Sequence, residues 1–274
     1  GIQDTSEPGV AGVTVTLQTP TGILTTTTNA NGFYTFTNLI SGTYSLTFTA
    51  PSGYQWTPIY STSSSTGNDS NVNPATAATG VITLVTGQSN QTIDGGLFRP
   101  ATIGNFVWED LDHDGQQDVN ESGISGVVVT IQTTTGTVTA TTDASGQYTF
   151  TNLVAGTYTV TFNTPAGYQP TLSNVGSDTT DSDLVNGQTV VTITNGSTNT
   201  TTDAGFWRPA TLGDYVWEDL NHDGQQNDGA TGVSGVSVTL LNSSNQVVST
   251  TTTNRAGLYT STNLISGTYH VSFT

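Results

Sequence analysis

The sequence predicts an all-β protein built of tandem β-sandwich modules, and three observations carry that prediction. Short runs rich in threonine, valine, isoleucine and aromatic residues alternate with Gly, Asn, Asp and Pro turns throughout the chain. No segment shows a helical period long enough to support a helix. The pattern also repeats: Phe106-Val107-Trp108-Glu109-Asp110-Leu111 returns as Tyr215-Val216-Trp217-Glu218-Asp219-Leu220, and Thr37-Asn38-Leu39 returns as Thr151-Asn152-Leu153 and again as Thr262-Asn263-Leu264. The repeat length is about 110 residues, the size of one small domain.

The frame predicted from the repeats is 1–100, 101–209 and 210–274, with the first module cut at its N-terminal side, the middle one complete and the third cut at its C-terminal side. In the middle module the expected strands are residues 103–108, 127–132, 137–142, 148–151, 157–163, 189–194 and 201–207, a number and spacing that suit a sandwich. Asp143-Ala144-Ser145-Gly146 and its counterparts Asn29-Ala30-Asn31-Gly32 and Asn254-Arg255-Ala256-Gly257 put glycine where a tight turn needs positive φ. The links Phe98-Arg99-Pro100-Ala101-Thr102 and Trp207-Arg208-Pro209-Ala210-Thr211 are short and contain proline, so adjacent modules are expected to be held in one orientation, as in a stiff rod.

Between the first and second expected strands of the middle module lies Asp110-Leu111-Asp112-His113-Asp114-Gly115-Gln116-Gln117-Asp118-Val119-Asn120-Glu121. Asp110, Asp112, Asp114, Asp118 and Glu121 fill positions 1, 3, 5, 9 and 12 of a calcium loop, Gly115 takes the sharp turn, and Gln116 is placed to offer its main-chain carbonyl. Calcium is bound by six to eight oxygens in a cage that folds back on itself, which explains both the alternation of acids and the glycine. The flanks have strand character, so this is not the helical setting of an EF-hand. The third module repeats the loop with Asp219, Asn221, Asp223 and Gln225, plus Asn227, but has Ala230 at position 12, which should weaken binding unless Asp228 substitutes. Only Asp4 and Glu7 represent it in the first module. Asp178, Asp181 and Asp183, with the distant Asp203, form a second candidate calcium site, against the alternative of a solvated acidic loop; its first-module counterpart has Asp69 and Asp94, with Asn71 and Asn73 nearby. His113 and His222 stand at position 4, which points away from a metal, and are expected at the surface.

Composition narrows the function. Charged residues are 8% of the chain, with Asp+Glu 20 against Lys+Arg 3 and a formal charge of −17, so no nucleic-acid partner is expected. There is no cysteine, so metal ions are the natural staples in place of disulfides. No apolar run is long enough to insert into a membrane, and no signal-peptide pattern opens the chain. Catalytic patterns such as HExxH or GxSxG are absent and lysine is lacking, so no enzyme is expected. Tyr54, Trp56 and Tyr60 in a long polar loop are expected to cover the core edge or a neighbouring module, with a carbohydrate-binding module as the alternative reading. Asn195-Gly196-Ser197 is among several glycosylation sequons, a chance match in so Asn/Ser/Thr-rich a chain. Arg99 and Arg208, at equivalent junctions, are expected to bridge the last strand of one module to an acidic loop of the next.

The segments Gly104–Asp110, Asp110–Glu121, Gly126–Ile131, Asp143–Tyr148, Asn152–Tyr158 and Pro165–Tyr168 together resemble the B domains of serine-aspartate-repeat bacterial surface adhesins, related to the B-type repeats of collagen adhesins. The resemblance spans essentially the whole chain. It implies Ig-like or prealbumin-like sandwiches with calcium-binding loops, located outside the cell at its surface, acting as a stalk between a ligand-binding head and the wall. Implied partners are neighbouring repeats of the same chain, possible copies in a filament, and a host or matrix ligand reached through a head domain not present here. Some relatives carry a Lys–Asn/Asp isopeptide crosslink; without lysine that bond cannot form here.

Overall fold

The computed structural model describes residues 1–59 and 67–274 and separates into two compact units. The first comprises Gly1–Thr102 with the short stretches Thr151–Gly156 and Thr192–Thr198; the second comprises Ile103–Phe150, Thr157–Val191 and Asn199–Thr274. Tyr60, one of the aromatic residues of the long polar loop, lies outside the described residues. Among the described residues every regular element is a strand.

In the first unit, β1 (Thr14–Thr19), β2 (Gly22–Thr27), β3 (Gly42–Thr49), β4 (Gln55–Trp56), β5 (Ile82–Leu84) and β6 (Leu97–Phe98) follow in order. One sheet has the order β2-β1-β3-β5, and β4 pairs with β6. The antiparallel register sets Val15 against Phe48 and Leu17 against Leu46. Because side chains alternate across a strand, these four share the buried face, while the intervening threonines face outward. Val13, Tyr44 and Val72 complete this core. The Phe48 ring meets Tyr34 and Trp56 edge-on at 5.6 and 5.8 Å.

The middle stretch of the chain, most of it in the second unit, runs β7 (Ala101–Glu109), β8 (Val128–Thr133), β9 (Gly136–Thr141), β10 (Gln147–Leu153), β11 (Gly156–Phe162), β12 (Gln169–Pro170), β13 (Gln188–Ile193), β14 (Thr198–Asn199) and β15 (Ala204–Trp207). These form two sheets, β10-β7-β15-β12 with β14 also paired to β7, and β13-β11-β8-β9. The seven expected strands are present within a few residues; the two-residue β12 and β14 were not foreseen, being too short to show a period. Trp108, Ile103, Val107 and Phe206 from one sheet and Val129, Ile131 and Val160 from the other are fully buried, and Tyr148 of β10 meets Phe162 of β11 edge-on at 5.4 Å. That is a sandwich core. β15 runs parallel to β7, with Ala204 opposite Val107 and Phe206 opposite Glu109, so the last strand of the module is fastened to the first beside the acidic loop.

The remainder consists of β16 (Ala210–Tyr215), β17 (Ser237–Asn242), β18 (Val247–Thr252), β19 (Leu258–Leu264) and β20 (Tyr269–Phe273), paired as β16-β19 and β18-β17-β20. Gly146, Gly32 and Gly257 have φ of 86°, 80° and 78°, the left-handed conformation the turn sequences called for. The protein is thus all-β, made of tandem sandwich modules.

Candidate metal centres

The end of β7 delivers Asp110, 1% exposed, into the loop as its hub. Its Oδ1 accepts the His113 N–H at 2.5 Å; its Oδ2 accepts the Gly115 N–H at 2.9 Å and the Thr171 hydroxyl at 2.5 Å. His113 and Gly115 have φ of 63° and 84°, and these two left-handed residues curl the chain around the carboxylate. Asp112 Oδ1 accepts from the Asp114 N–H, and Asp114 Oδ1 from the Gln116 N–H at 2.8 Å. Carboxylate oxygens of Asp110, Asp112 and Asp114 lie within 4.8 Å of one another, close enough to hold one metal ion. Burial and then the neighbouring Asp114 push the Asp112 carboxyl above its ordinary range.

Asp118 and Glu121 stand outside that trio. Glu121 closes the loop instead: its Oε1 accepts the Leu111 N–H at 2.7 Å and its Oε2 the Asp118 N–H at 3.0 Å. Gln116 lies opposite Asp181, flanked by Gln117 N–H to Thr180 O at 2.7 Å and Ser182 N–H to Gly115 O at 3.2 Å. The two acidic segments, about sixty residues apart in the sequence, are therefore laced together.

Asp178, Asp181 and Asp183 form a second trio, again with oxygens within 4.8 Å. Asp181 is 5% exposed, and its Oδ1 is buried without any hydrogen-bond partner. A buried, unpaired carboxylate oxygen is costly unless a cation faces it. Asp203 sits beside the trio, not within it: its oxygens accept from the Phe106 N–H at 3.1 Å and the Asn105 amide at 3.0 Å, while its own N–H donates to Asp183 Oδ2 at 2.7 Å. Asp183 N–H in turn donates to Asp203 O at 3.0 Å, so Asp203 holds Asp183 in place. Burial raises Asp203 to about 7, helped by the nearby Asp183 charge, and burial followed by Asp181 and Asp178 raises Asp183 to about 6.

The first module shows the same design. Asp94 N–H donates to Asn71 Oδ1 at 2.8 Å, matching the Asp203–Asp183 bond, and Asp69 Oδ1 and Asp94 Oδ2 are buried without partners. Burial and then Asp69 push Asp94 up to about 6. In the third loop, Asp219 Oδ2 accepts the Gly224 N–H at 2.9 Å and Asp223 Oδ1 the Gln225 N–H at 2.7 Å; Asn221 turns an amide toward Asp223. Where Ala230 leaves a gap, Asp228 Oδ2 accepts the Leu220 N–H at 3.1 Å, the bond Glu121 makes to Leu111 in the middle loop. The sequence permitted this replacement but did not require it, since Asp228 is out of register by two residues.

All donors in these loops are oxygens, most of them carboxylate, and the positive side chains lie elsewhere. Such a set suits a hard divalent cation. Two other expectations change. His113 is not a free surface residue: its ring stacks on Trp207 at 4.4 Å. Trp56 packs against Phe48, and the Arg99 guanidinium covers the Tyr54 ring at 4.7 Å, so these two aromatics cover the core edge. Neither arginine bridges to an acidic loop of the following module: the Arg99 stem lies against Gly196 while its guanidinium turns back over Tyr54. Arg208 Nε pairs with Glu109 Oε1 at 3.0 Å, its plane lies over Tyr168 at 4.5 Å, and its guanidinium also donates to the Tyr168 hydroxyl. An aromatic face and a carboxylate on the arginine's own side satisfy it first.

Family comparison agrees with this architecture. The model of the SdrD B-like domain matches residues 1–97, 101–206 and 210–274. The chain is 47% identical over 282 aligned positions to serine-aspartate repeat-containing protein F of Staphylococcus epidermidis, covering 100% of this chain and 16% of that protein. It is 45% identical to serine-aspartate repeat-containing protein D of Staphylococcus aureus, covering 100% of this chain and 21% of that one. The chain thus spans about a fifth or less of these relatives' length. Among solved structures, the major pilin subunit BcpA of Bacillus cereus aligns over 98% of this chain and 85% of its own at 13% identity and a TM-score of 0.33. With three successive matches across the sequence, the chain belongs to the SdrD B-like domain family.

Proposed function

We propose that this chain is a calcium-stabilised stalk segment of a bacterial cell-surface adhesin or extracellular filament, composed of modules 1–100, 101–209 and 210–274. The observation that carries the calcium reading is the pair of equivalent buried oxygens without partners, Asp69 Oδ1 and Asp181 Oδ1, beside further carboxylates. The family relationship supports the repeat role, and the three matched segments support the module frame. The role is mechanical: Asp110, Asp112 and Asp114, together with Asp178, Asp181 and Asp183, would hold the ions, and the neutralised loops would then be fixed against the sandwich. Its partners are neighbouring repeats of the chain, copies in a filament, and a host or matrix ligand bound by another part of the protein. No catalytic role is proposed.

Calorimetric titration of the whole chain with calcium tests this directly. Saturable binding that Asp181→Asn weakens is expected; absence of calcium binding would overturn the reading. Scattering with and without chelator should show looser loops and junctions after calcium removal with the strands intact, because the apolar cores do not include the metal.

Asp228 makes a sharper expectation possible. Its replacement by alanine should lower calcium affinity at the third loop at least several-fold, since among the described residues no other carboxylate closes that loop on Leu220. An unchanged affinity in the titration would show that Asp228 only caps the backbone.

A further inference from the structure

Residues 192–198, the end of β13 and the turn after it, belong to the same compact unit as residues 1–102. The turn they contain is closed on itself: Ser197 N–H donates to Thr194 O at 3.0 Å, Thr194 N–H to Ser197 Oγ at 3.0 Å, and Ser197 Oγ back to Thr194 O at 2.9 Å. Three further bonds tie this turn to the link at residues 98–102. Asn195 Oδ1 accepts the Arg99 N–H at 2.7 Å, Gly196 N–H donates to Arg99 O at 2.9 Å, and Thr102 N–H donates to Ser197 O at 3.0 Å. Both main-chain groups of Arg99 are thus used, on either side of them a proline or an aromatic.

Shape agrees with the hydrogen bonds. Gly196 has φ of 74°, and a Cβ there would come within 2.9 Å of Arg99 Cβ and 3.2 Å of its Cδ. The arginine stem therefore lies on a bare glycine, while its guanidinium lies over Tyr54. A second contact stands nearby in the sequence of the same unit, where Gln55 Nε2 donates to Asn152 Oδ1 at 2.9 Å; Asn152 has φ of 60°.

We infer that the turn at residues 194–197 is a docking surface for the link of the preceding module, and that it fixes that link by main-chain hydrogen bonds independently of any metal. The inference rests on the module frame proposed above, but not on calcium. Recognition through backbone groups needs little from the link's side chains beyond a residue whose stem can lie on Gly196. Pro100 limits φ within the docked segment and so lowers the entropy lost on docking.

The test is amide hydrogen exchange on the whole chain, in chelator and in calcium, for the parent, Asn195→Ala and Gly196→Val. The Arg99 and Thr102 amides should be protected in the parent under both conditions. Asn195→Ala should speed exchange at Arg99 at least tenfold, and Gly196→Val should expose both amides, with melting of the β-sheet cores little changed. If Gly196→Val fails to fold, Asn195→Ala alone decides. Unprotected Arg99 and Thr102 amides in the parent would overturn the inference, as would protection that Asn195→Ala leaves intact or that exists only with calcium bound. Protection in a chain that binds no calcium would uphold the docking while removing the calcium reading.

Discussion

Replacing Asp110 by alanine is expected to abolish calcium binding at residues 110–121 and to lower the stability of the metal-free chain by about 1–3 kcal/mol. Asp110 is almost fully buried and accepts from His113, Gly115 and Thr171. Without it the two backbone donors and the hydroxyl lose their acceptor in a site too enclosed for water to replace it fully. The left-handed turn at His113 and Gly115 would also lose its reason to close. Titration calorimetry reads the first effect, and denaturant unfolding in chelator reads the second. A variant as stable as the parent in chelator would mean that the loop is held by Glu121 and the lacing to residues 180–182 alone. Asp110→Asn separates charge from shape: it retains one acceptor oxygen and should cost less stability while still impairing calcium binding.

The metal-free chain is expected to melt at a lower temperature at pH 7.5 than at pH 5, and saturating calcium should reverse that order. Asp203 is raised to about 7, and Asp183 and Asp94 to about 6, in each case by burial first. An unfolded aspartate titrates near 3.9. Between about pH 4 and 7 the folded chain therefore holds more protons than the unfolded one, so stability falls as pH rises through that window. This stabilising contribution is fully present below the unfolded value and lost above the folded one. Calcium acts with the opposite sign, because it binds the ionised carboxylates and displaces their protons. At a calcium concentration a hundred times the dissociation constant, one site contributes about 2.7 kcal/mol, which for a module of this size is roughly 10–20 °C in melting temperature. Scanning calorimetry at the two pH values, with calcium and with chelator, checks both halves. A metal-free melting temperature that is equal or higher at pH 7.5 would contradict the carboxylate argument. Asp203→Asn should flatten the metal-free dependence.

Much of the architecture follows from local sequence. Alternation of Val129, Ile131, Val160 and Phe162 with threonine sets strand period and buried face, because a strand's side chains take opposite sides at every step. The turn Asp143–Gly146 encodes its own geometry, as aspartate caps two N–H groups and glycine accepts positive φ. The acidic loop is legible for the same reason: the residues that would surround one ion lie within twelve positions of each other. The repeats then copied each reading into the next module.

What only the tertiary structure decided were contacts between distant segments. Nothing near Gln116 in the chain announces that it lies opposite Asp181, or that Asp203 accepts from Asn105 and Phe106 while its own N–H donates to Asp183. Asp228 reaches Leu220 because the chain after Gly224 takes a path that register counting cannot see. The arginines were legible as unusual but not as to direction: a long side chain goes to whichever ring and acid lie within reach, and only the packed fold put Tyr168 and Glu109 beside Arg208 and Tyr54 beside Arg99. Local periodicity is set by neighbours in the chain, whereas the partner of a buried polar group is set by which strands the shared apolar core brings together.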